Sequence, residues 1–334
     1  MSFRLPFLLL AVMASLAANA TSRPVLTVYT HPSFAAEWGP GPAIKEAFEA
    51  QCDCTLEYTV LDSGGDILQR LRLEGESTNA DLVLGLDTAT METARQTGLI
   101  GTHERPLDAL ALPISWDDKH FVPYDWGYFA FVYDTEQLPE PPSSLEALIN
   151  APDDLKIIIQ DPRTSTPGLG LLLWMHSVYG DEAPAKWRAL SKKILATTQS
   201  WSDGYFSLFM NGEAPMILSY STSPAYHMAI DKTDRYQAAE FEEGHYLQVE
   251  VAALVAPSKN KALARNFLDF MLTPDFQRHI PLKNVMYPAI DLGEELPGVF
   301  DRLIAPSTTL FMLPSDVAEQ RRSLVDDWLN ALTH

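Results

Sequence analysis

Residues 121–134 read FVPYDWGYFAFVYD, and residues 245–256 read HYLQVEVAALVA. Both runs are rich in aromatic and β-branched residues and too apolar for surface loops, so we predict two long strands. We expect the first strand to pass from one lobe of the protein to another, and the second to return to the first lobe. Two lobes joined by long crossing strands leave a cleft between them.

Shorter strands and helices alternate on both sides of the first long strand. Before it we predict strands at 25–29, 55–61 and 80–84, and helices at 42–50, 66–74 and 89–97. This β-α-β-α-β order predicts a parallel sheet covered on both faces. After it we predict strands at 156–159 and 215–219, and helices at 168–178, 183–191, 202–210, 258–272, 274–279 and 314–332. We therefore expect lobe 1 at 21–130 with 245–280 returning to it, lobe 2 at 131–244, and a C-terminal helical segment at 281–334.

The composition is that of an ordinary globular protein. The chain has 334 residues, of which 46% are hydrophobic and 20% are charged, which predicts about two domains. It carries 24 Lys and Arg against 44 Asp and Glu, a net charge of −20. This charge argues against a nucleic-acid partner and against adhesion to an anionic membrane.

The N-terminus has the pattern of a secretory signal peptide. A single Arg4 precedes an almost wholly apolar run at 7–18, and residues 18–20 form an A-x-A cleavage site. The apolar run is shorter than the roughly 20 residues that a membrane-spanning helix needs. We predict cleavage after Ala20 and export of a soluble chain to the periplasm.

The only two cysteines are Cys52 and Cys54. Export permits a disulfide between them, although a C-x-C bridge requires a turn at Asp53. We expect the disulfide; a free thiol pair at a strand start is the alternative. No His or further Cys accompanies them as in a zinc site.

Polar turns at 30–33, 62–65, 85–88, 161–168 and 220–226 fall at the predicted carboxyl ends of strands. Ligands of open α/β sheets bind at that edge, so we expect these turns to form one site. Ser165 or Thr166 either caps the following helix or presents its hydroxyl, with the helix N–H groups, to an anion such as a phosphate. Gly64 and Gly65 open another helix and offer a second set of N–H groups.

Aromatic side chains at strand ends offer a second kind of contact. Trp201 and Tyr220 lie beside polar residues, where their faces can sandwich a flat or cationic ring; core packing is the alternative. Motifs for catalysis are absent, because the chain has no G-x-S-x-G, H-E-x-x-H or phosphate-loop sequence. The eight His residues show no metal-ligand spacing, so we expect no catalytic residue, no metal and no cofactor.

Five segments of the mature chain resemble one family over long stretches. They are residues 24–30, 37–42, 160–174, 218–227 and 243–251. The chain resembles the periplasmic thiamine-binding proteins of bacterial ABC importers. The resemblance implies an α/β, two-lobed periplasmic-binding-protein fold (type II-like), with the ligand cleft between lobes joined by crossing strands. It implies a monomeric receptor that binds thiamine, thiamine monophosphate and thiamine diphosphate, and delivers them to an inner-membrane ABC permease.

The resemblance also implies which residues contact the ligand. Carried over position by position, they are Ser63, Gly64, Ser165, Thr166, Trp201, Tyr220, Ser221, Thr222 and Ser223, with Tyr226 beside the ring system. Three positions depart from the family pattern. Ser63 stands in place of an Asp, His31 in place of an aromatic residue, and Val285 in place of a Trp.

Two other function classes remain open from the sequence. A related receptor could take a different ligand, such as another small cation, a phosphate ester, or ferric iron held through His31, Tyr220 and Tyr226. A thiamine-degrading enzyme of the same fold would need a cysteine nucleophile in the cleft. Cys52 and Cys54 lie away from the predicted strand ends, which argues against this alternative.

Overall fold

The computed structural model describes residues 23–333; the predicted signal peptide at 1–20 lies outside this range. The strands are β1 (Val25–Thr30), β2 (Thr55–Val60), β3 (Leu82–Asp87), β4 (Phe121–Asp134), β5 (Ile157–Gln160), β6 (Ile194–Thr198), β7 (Met216–Tyr220), β8 (Tyr236–Ala238), β9 (His245–Leu254), β10 (Tyr287–Pro288) and β11 (Thr309–Leu310). The helices are α1 (Pro32–Ala35), α2 (Gly41–Cys52), α3 (Gly64–Glu74), α4 (Met91–Arg95), α5 (Leu145–Asn150), α6 (Thr166–Tyr179), α7 (Ala183–Ser191), α8 (Ser223–Tyr226), α9 (Lys261–Met271), α10 (Pro274–Gln277), α11 (Ile280–Lys283) and α12 (Pro314–Thr333). Within residues 23–333 no helix is long and apolar enough to span a membrane.

The first lobe is built on a sheet whose strand order is β2-β1-β3-β9-β4. Strands β1, β2 and β3 are parallel, as the alternation of strands and helices predicts. Strand β9 lies antiparallel between β3 and β4. One face of the sheet packs on residues of α2 and α9, and the other on residues of α3 and α4. The prediction of a parallel unit covered on both faces is confirmed.

Strand β4 belongs to both lobes. Its residues 121–128 pair with β9, and its residues 129–133 pair with β7 in a second sheet of order β4-β7-β5-β6. Strands β5, β6 and β7 are parallel to one another. The predicted crossing strand at 121–134 is therefore confirmed, and it joins the two lobes at a hinge.

Two local predictions are wrong around residue 200. Strand β6 was not expected, because Ile194–Thr198 alternates between half-buried and exposed residues at the sheet edge. The helix predicted at 202–210 is instead a π-helical turn, Asp203–Leu208, followed by a short 3-10 turn, Phe209–Asn211. A second π-helical turn, His227–Asp231, follows α8. Such turns recur at functional sites.

The C-terminal helix α12 packs on the second lobe. Its buried residues Val317, Leu324, Trp328 and Ala331 join the core formed by α6 and α7. The rings of Trp187 and Trp328 meet edge to face, with centroids 6.5 Å apart. The helix thus covers α6 and α7 of this lobe and also contacts α4 of the first lobe.

The two cysteines are bonded to each other. Asp53 adopts the left-handed conformation, with φ 46° and ψ 39°, and this turn brings the two Cα atoms to 5.1 Å. The expected disulfide and its turn are confirmed. No free cysteine remains in the described chain.

Candidate ligand-binding site

The N-terminus of α3 forms one wall of the region between the lobes. Ser63 is the N-cap: its Oγ accepts the N–H of Asp66 at 3.2 Å and donates to that residue's Oδ2 at 2.6 Å. A Cβ on Gly64 would lie 2.8 Å from the carbonyl oxygen of Gly85. The helix therefore starts directly against β3, and only glycine fits at this contact.

Gly85 also makes room for the imidazole of His31. Its φ is +106°, and a Cβ there would lie 2.3 Å from Cδ2 of His31. The Nδ1 of His31 pairs with Oγ of Ser33 at 2.7 Å, whereas its Nε2 is buried with no partner among residues 23–333. Burial lowers the pKa of His31, so its ring is neutral near neutral pH.

The N-terminus of α6 forms the opposite wall. Ser165 is the N-cap, but its side chain makes no capping hydrogen bond. The Oγ1 of Thr166 donates to Oδ2 of Asp87, at the end of β3, at 3.2 Å. This hydrogen bond links the two lobes directly. Behind it lies a cavity of about 10 Å³, whose lining includes Gln248 of β9.

The loop after β7 is held by serine hydroxyls. Oγ of Ser219 lies 2.8 Å from Oγ of Ser223, and it accepts the indole N–H of Trp201 at 2.8 Å. The indole of Trp201 also stacks on Tyr205, with centroids 4.8 Å apart. The Ser221 hydroxyl is buried with no partner in the described part of the chain. These contacts place Trp201 beside the predicted binding loop.

Thr222 and Tyr226 have different surroundings. The Thr222 hydroxyl is buried 3.8 Å from the Met286 sulfur. Tyr226 is 38% exposed and meets His227 edge to face at 5.7 Å. Tyr226 shares the short helix α8 with Ser223. Within residues 23–333, no side-chain hydrogen bond or ring contact joins Tyr226 to another predicted site residue.

A group of polar residues missed by sequence reasoning lies on β4, on β9 and directly after α11. Asp125 stands directly opposite Glu250 in the register of β4 and β9. The amide of Asn284 donates to both, at 2.5 Å to Asp125 and 3.3 Å to Glu250. Glu250 also accepts the Tyr124 hydroxyl at 2.6 Å and the Gln248 amide at 3.1 Å. The available signal was a charged residue in the middle of each long apolar strand.

These carboxyl groups make the hinge end of the site electronegative. Burial, and then the charge of Glu250, raise the pKa of Asp125 well above its usual value. The pKa of Tyr220 is raised by its burial, followed by the carboxylates of Glu250, Asp87 and Asp125. Burial likewise raises the pKa of Asp87. Tyr220 therefore lies in the same negative field as the acidic residues of the hinge.

Two features bear on the alternative ligands and activities. Among residues 23–333, no three His, Cys, Asp or Glu side chains are grouped to hold a metal ion. Both cysteines are bridged, and Cys54 is fully buried.

The site offers a set of hydroxyls and two helix N-termini opposite carboxylates and aromatic rings. Such a set suits a small ligand with a cationic part and a polar or anionic part.

The fold and this site define a two-lobed receptor that holds a solute at the hinge between its lobes. The chain belongs to the family of bacterial extracellular solute-binding proteins, which its residues 43–280 match.

Relatives that match along nearly the whole chain carry a more specific name. The thiamine-binding periplasmic protein of Escherichia coli is 50% identical over 98% of both chains. That of Haemophilus influenzae is 42% identical, again over 98% of both. A solved periplasmic thiamin binding protein is 51% identical, with a TM-score of 0.89 over 93% of this chain and 97% of that one. All three are similar to this chain across both lobes.

A more distant likeness concerns the fold alone. The ferric binding protein from Campylobacter jejuni has a TM-score of 0.77 over 92% of this chain and 99% of its own, at 18% identity.

Proposed function

We propose that this chain is the periplasmic receptor of a bacterial ABC importer for thiamine and its phosphate esters. It captures thiamine, thiamine monophosphate or thiamine diphosphate between the lobes and delivers the ligand to an inner-membrane permease. It acts as a monomer and catalyses no reaction. Residues 1–20 are a signal peptide that is removed after Ala20. The family membership and the names of the full-length relatives support this proposal.

The observation that carries the proposal is the convergence of three distant segments on the hinge. The α6 start meets β3 through Thr166 and Asp87, the α3 start packs on Gly85 of the same strand, and Tyr220 lies in the field of Asp87. We propose these residues as ligand contacts: Ser63, Gly64, Ser165, Thr166, Trp201, Tyr220, Ser221, Thr222 and Ser223, with Tyr226 at the margin.

The chemistry of thiamine suits each wall. Its thiazolium is a permanent cation, which favours carboxylates and aromatic faces. Its aminopyrimidine is flat and polar, which suits the indole of Trp201 and the hydroxyls after β7. A phosphate ester would lie against the N-termini of α3 and α6, whose backbone N–H groups and dipoles favour anions without any net positive protein charge.

We further propose that the ligand brings the lobes together. Lobe 1 comprises 21–130 with 245–280, lobe 2 comprises 131–244, and 281–334 forms the C-terminal segment. Closure is a population shift driven by contacts to both lobes. Small-angle scattering should detect compaction on adding saturating thiamine, and an unchanged radius would contradict closure.

The decisive experiment is a titration of the refolded mature chain, because refolding strips any ligand carried from the cell. Thiamine and its mono- and diphosphate are titrated by calorimetry, with Trp fluorescence recorded in parallel. We expect submicromolar binding, which corresponds to more than about 8 kcal/mol, together with quenching. Absence of binding to all three compounds would overturn the proposed ligand.

Trp201 is the residue to vary in that titration. Trp201→Ala should weaken binding strongly, whereas Trp201→Phe keeps an aromatic face and should retain most of the affinity while losing the quenching. Equal affinities for all three proteins would exclude Trp201 from the site.

A further inference from the structure

The carboxyl pair Asp125 and Glu250 lacks a positive partner. The two residues face each other across β4 and β9 and share the amide of Asn284. Within residues 23–333, no Lys or Arg lies within ion-pair distance of either residue, or of Asp87. Two adjacent carboxyl groups that are desolvated resist simultaneous ionisation. No cationic side chain within residues 23–333 therefore balances the negative charge of the pair.

A buried acceptor atom beside the pair points to a ligand independently of charge. Gln248 is 2% exposed; its amide N–H donates to Glu250 at 3.1 Å, while its Oε1 is buried without a partner in the described chain. Buried polar atoms are nearly always hydrogen-bonded in folded proteins. An acceptor left open beside a negative pair calls for a donor or a cation from outside the chain.

The surrounding titratable groups supply no positive charge. The groups that face the pair or share its field are His31 before α1, Asp87 of β3, Tyr124 of β4 and Tyr220 of β7. Burial keeps His31 neutral by lowering its pKa, and burial raises the pKa of both tyrosines. Arg321 of α12 lowers the pKa of Asp87 through space, but it forms no ion pair with Asp125 or Glu250. The compensating charge has to arrive with the ligand.

Resting on the proposed function, we infer that Asp125 and Glu250 are the counter-charge that selects a permanently cationic ligand. In the free protein Asp125 holds a proton. When the cation binds beside the pair, Asp125 releases that proton to solvent, so that the added positive charge meets two carboxylates. The recognised class is a small organic cation, of which the thiazolium of thiamine is the example.

The test compares thiamine with a neutral analogue in which thiophene replaces the thiazolium ring. In the wild-type protein, thiamine should bind at least about tenfold more tightly. Glu250→Gln should remove at least about tenfold of the thiamine affinity and change binding of the neutral analogue by less than about twofold. Binding of the analogue also reports that the variant is folded. The matched control is Asp62→Asn, an exposed carboxylate beside the α3 start, which should leave both affinities within about twofold.

Calorimetry in two buffers of different ionisation enthalpy counts the protons. Thiamine binding near neutral pH should release about one proton in the wild type and close to none in Glu250→Gln. Equal losses for both ligands in Glu250→Gln, or binding of thiamine without proton release, would overturn the inference.

A measurement that needs no ligand separates this inference from the proposed function. Infrared difference spectra of the free protein near neutral pH should show the carbonyl band of a protonated carboxyl group, lost in Asp125→Asn. If that band is present but thiamine does not bind, the proposed ligand fails while the pair stands as a cation site. If the band is absent, the inference fails, whatever thiamine does.

Discussion

Strand β4 carries two buried aspartates in opposite environments. Asp134, 1% exposed, accepts hydrogen bonds from Nε and Nη2 of Arg235 at 2.8 and 2.6 Å. Asp125, fully buried, faces another carboxyl group. Hydrogen bonds from Arg235 hold the pKa of Asp134 below its usual value, whereas burial and Glu250 raise that of Asp125. Both residues are aspartates on the same strand, and they differ in their partners. The partner therefore decides which aspartate stabilises the fold and which is left for a ligand.

The largest effect on stability should come from breaking the ion pair between Arg235 and Asp134. Arg235→Met leaves Asp134 buried without its guanidinium and should lower the free energy of unfolding by about 3 kcal/mol near neutral pH. Because the pKa of Asp134 is depressed in the folded state, this stabilisation is present above the unfolded pKa and is lost as pH falls. Urea unfolding at a series of pH values should show the difference from wild type shrinking in acid.

The surface pair Arg302 and Asp234 is the matched control. Its side chains are 54% and 64% exposed, at a distance of 2.7 Å. Arg302→Met should change the stability by less than about 1 kcal/mol. Similar losses of unfolding free energy in Arg235→Met and Arg302→Met would mean that burial of Asp134 does not matter. The contrast between Asp134 and Asp125 would then be wrong.

The next effect concerns Gly85, whose backbone lies against the ring of His31. Gly85→Ala should cost about 2 kcal/mol, because its new Cβ would meet the His31 ring at 2.3 Å in addition to the strain of φ +106°. Gly180, with φ +51° and no atom within 4 Å of a Cβ, is the control for strain alone. Thermal unfolding should rank Gly85→Ala below Gly180→Ala, and only Gly85→Ala should weaken thiamine binding. Equal thiamine affinities of Gly85→Ala and Gly180→Ala would show that the contact between Gly85 and His31 does not shape the binding site.

Replacing one carboxyl group of the Asp125–Glu250 pair by an amide should stabilise the free protein. In Asp125→Asn no proton is shared, and the amide keeps an acceptor for Asn284. The folded pKa of Asp125 is raised, so its favourable contribution is complete below the unfolded pKa and is lost as pH rises through the folded value. We expect Asp125→Asn to gain about 1 kcal/mol near neutral pH and nothing in acid, measured by urea unfolding. A loss at every pH would contradict the proposed strain on the pair.

The two aspartates also show what a single sequence reveals. The crossing strand was predictable, because an apolar run of this length has few alternatives to a buried strand. Asp125 and Asp134 look alike within it, since nothing local distinguishes an aspartate that will meet Arg235 from one that will meet Glu250. That distinction depends on the register of β4 with β9 and on the path of the loop to Arg235, which are tertiary facts.

The candidate site shows the same contrast between features that have a local sequence signal and features that depend on tertiary contacts. Segments with local signals, such as the helix openings at Gly64 and at Ser165 or Thr166, were predicted correctly and lie at the start of α3 and α6. Trp201 was expected near a conventional helix, but a π-helical turn follows it, because tertiary packing of Tyr205 on His227 overrides helical propensity there. Assignment of the ten residues as ligand contacts stays a prediction that rests on the resemblance.

The smallest effect tests whether the cleft gains from one more carboxylate at its rim. At position 63 the resemblance implies an Asp, whereas the Ser that stands there caps α3 through Asp66. Ser63→Asp keeps a capping acceptor, so the stability should stay within about 0.5 kcal/mol, whereas Ser63→Ala should lose about 1 kcal/mol. The added charge is partly exposed and should raise thiamine affinity only about twofold to threefold, as measured by calorimetry, with no gain for the neutral analogue. A larger gain than this would mean that the rim, and not the Asp125–Glu250 pair at the hinge, is where the cation is recognised.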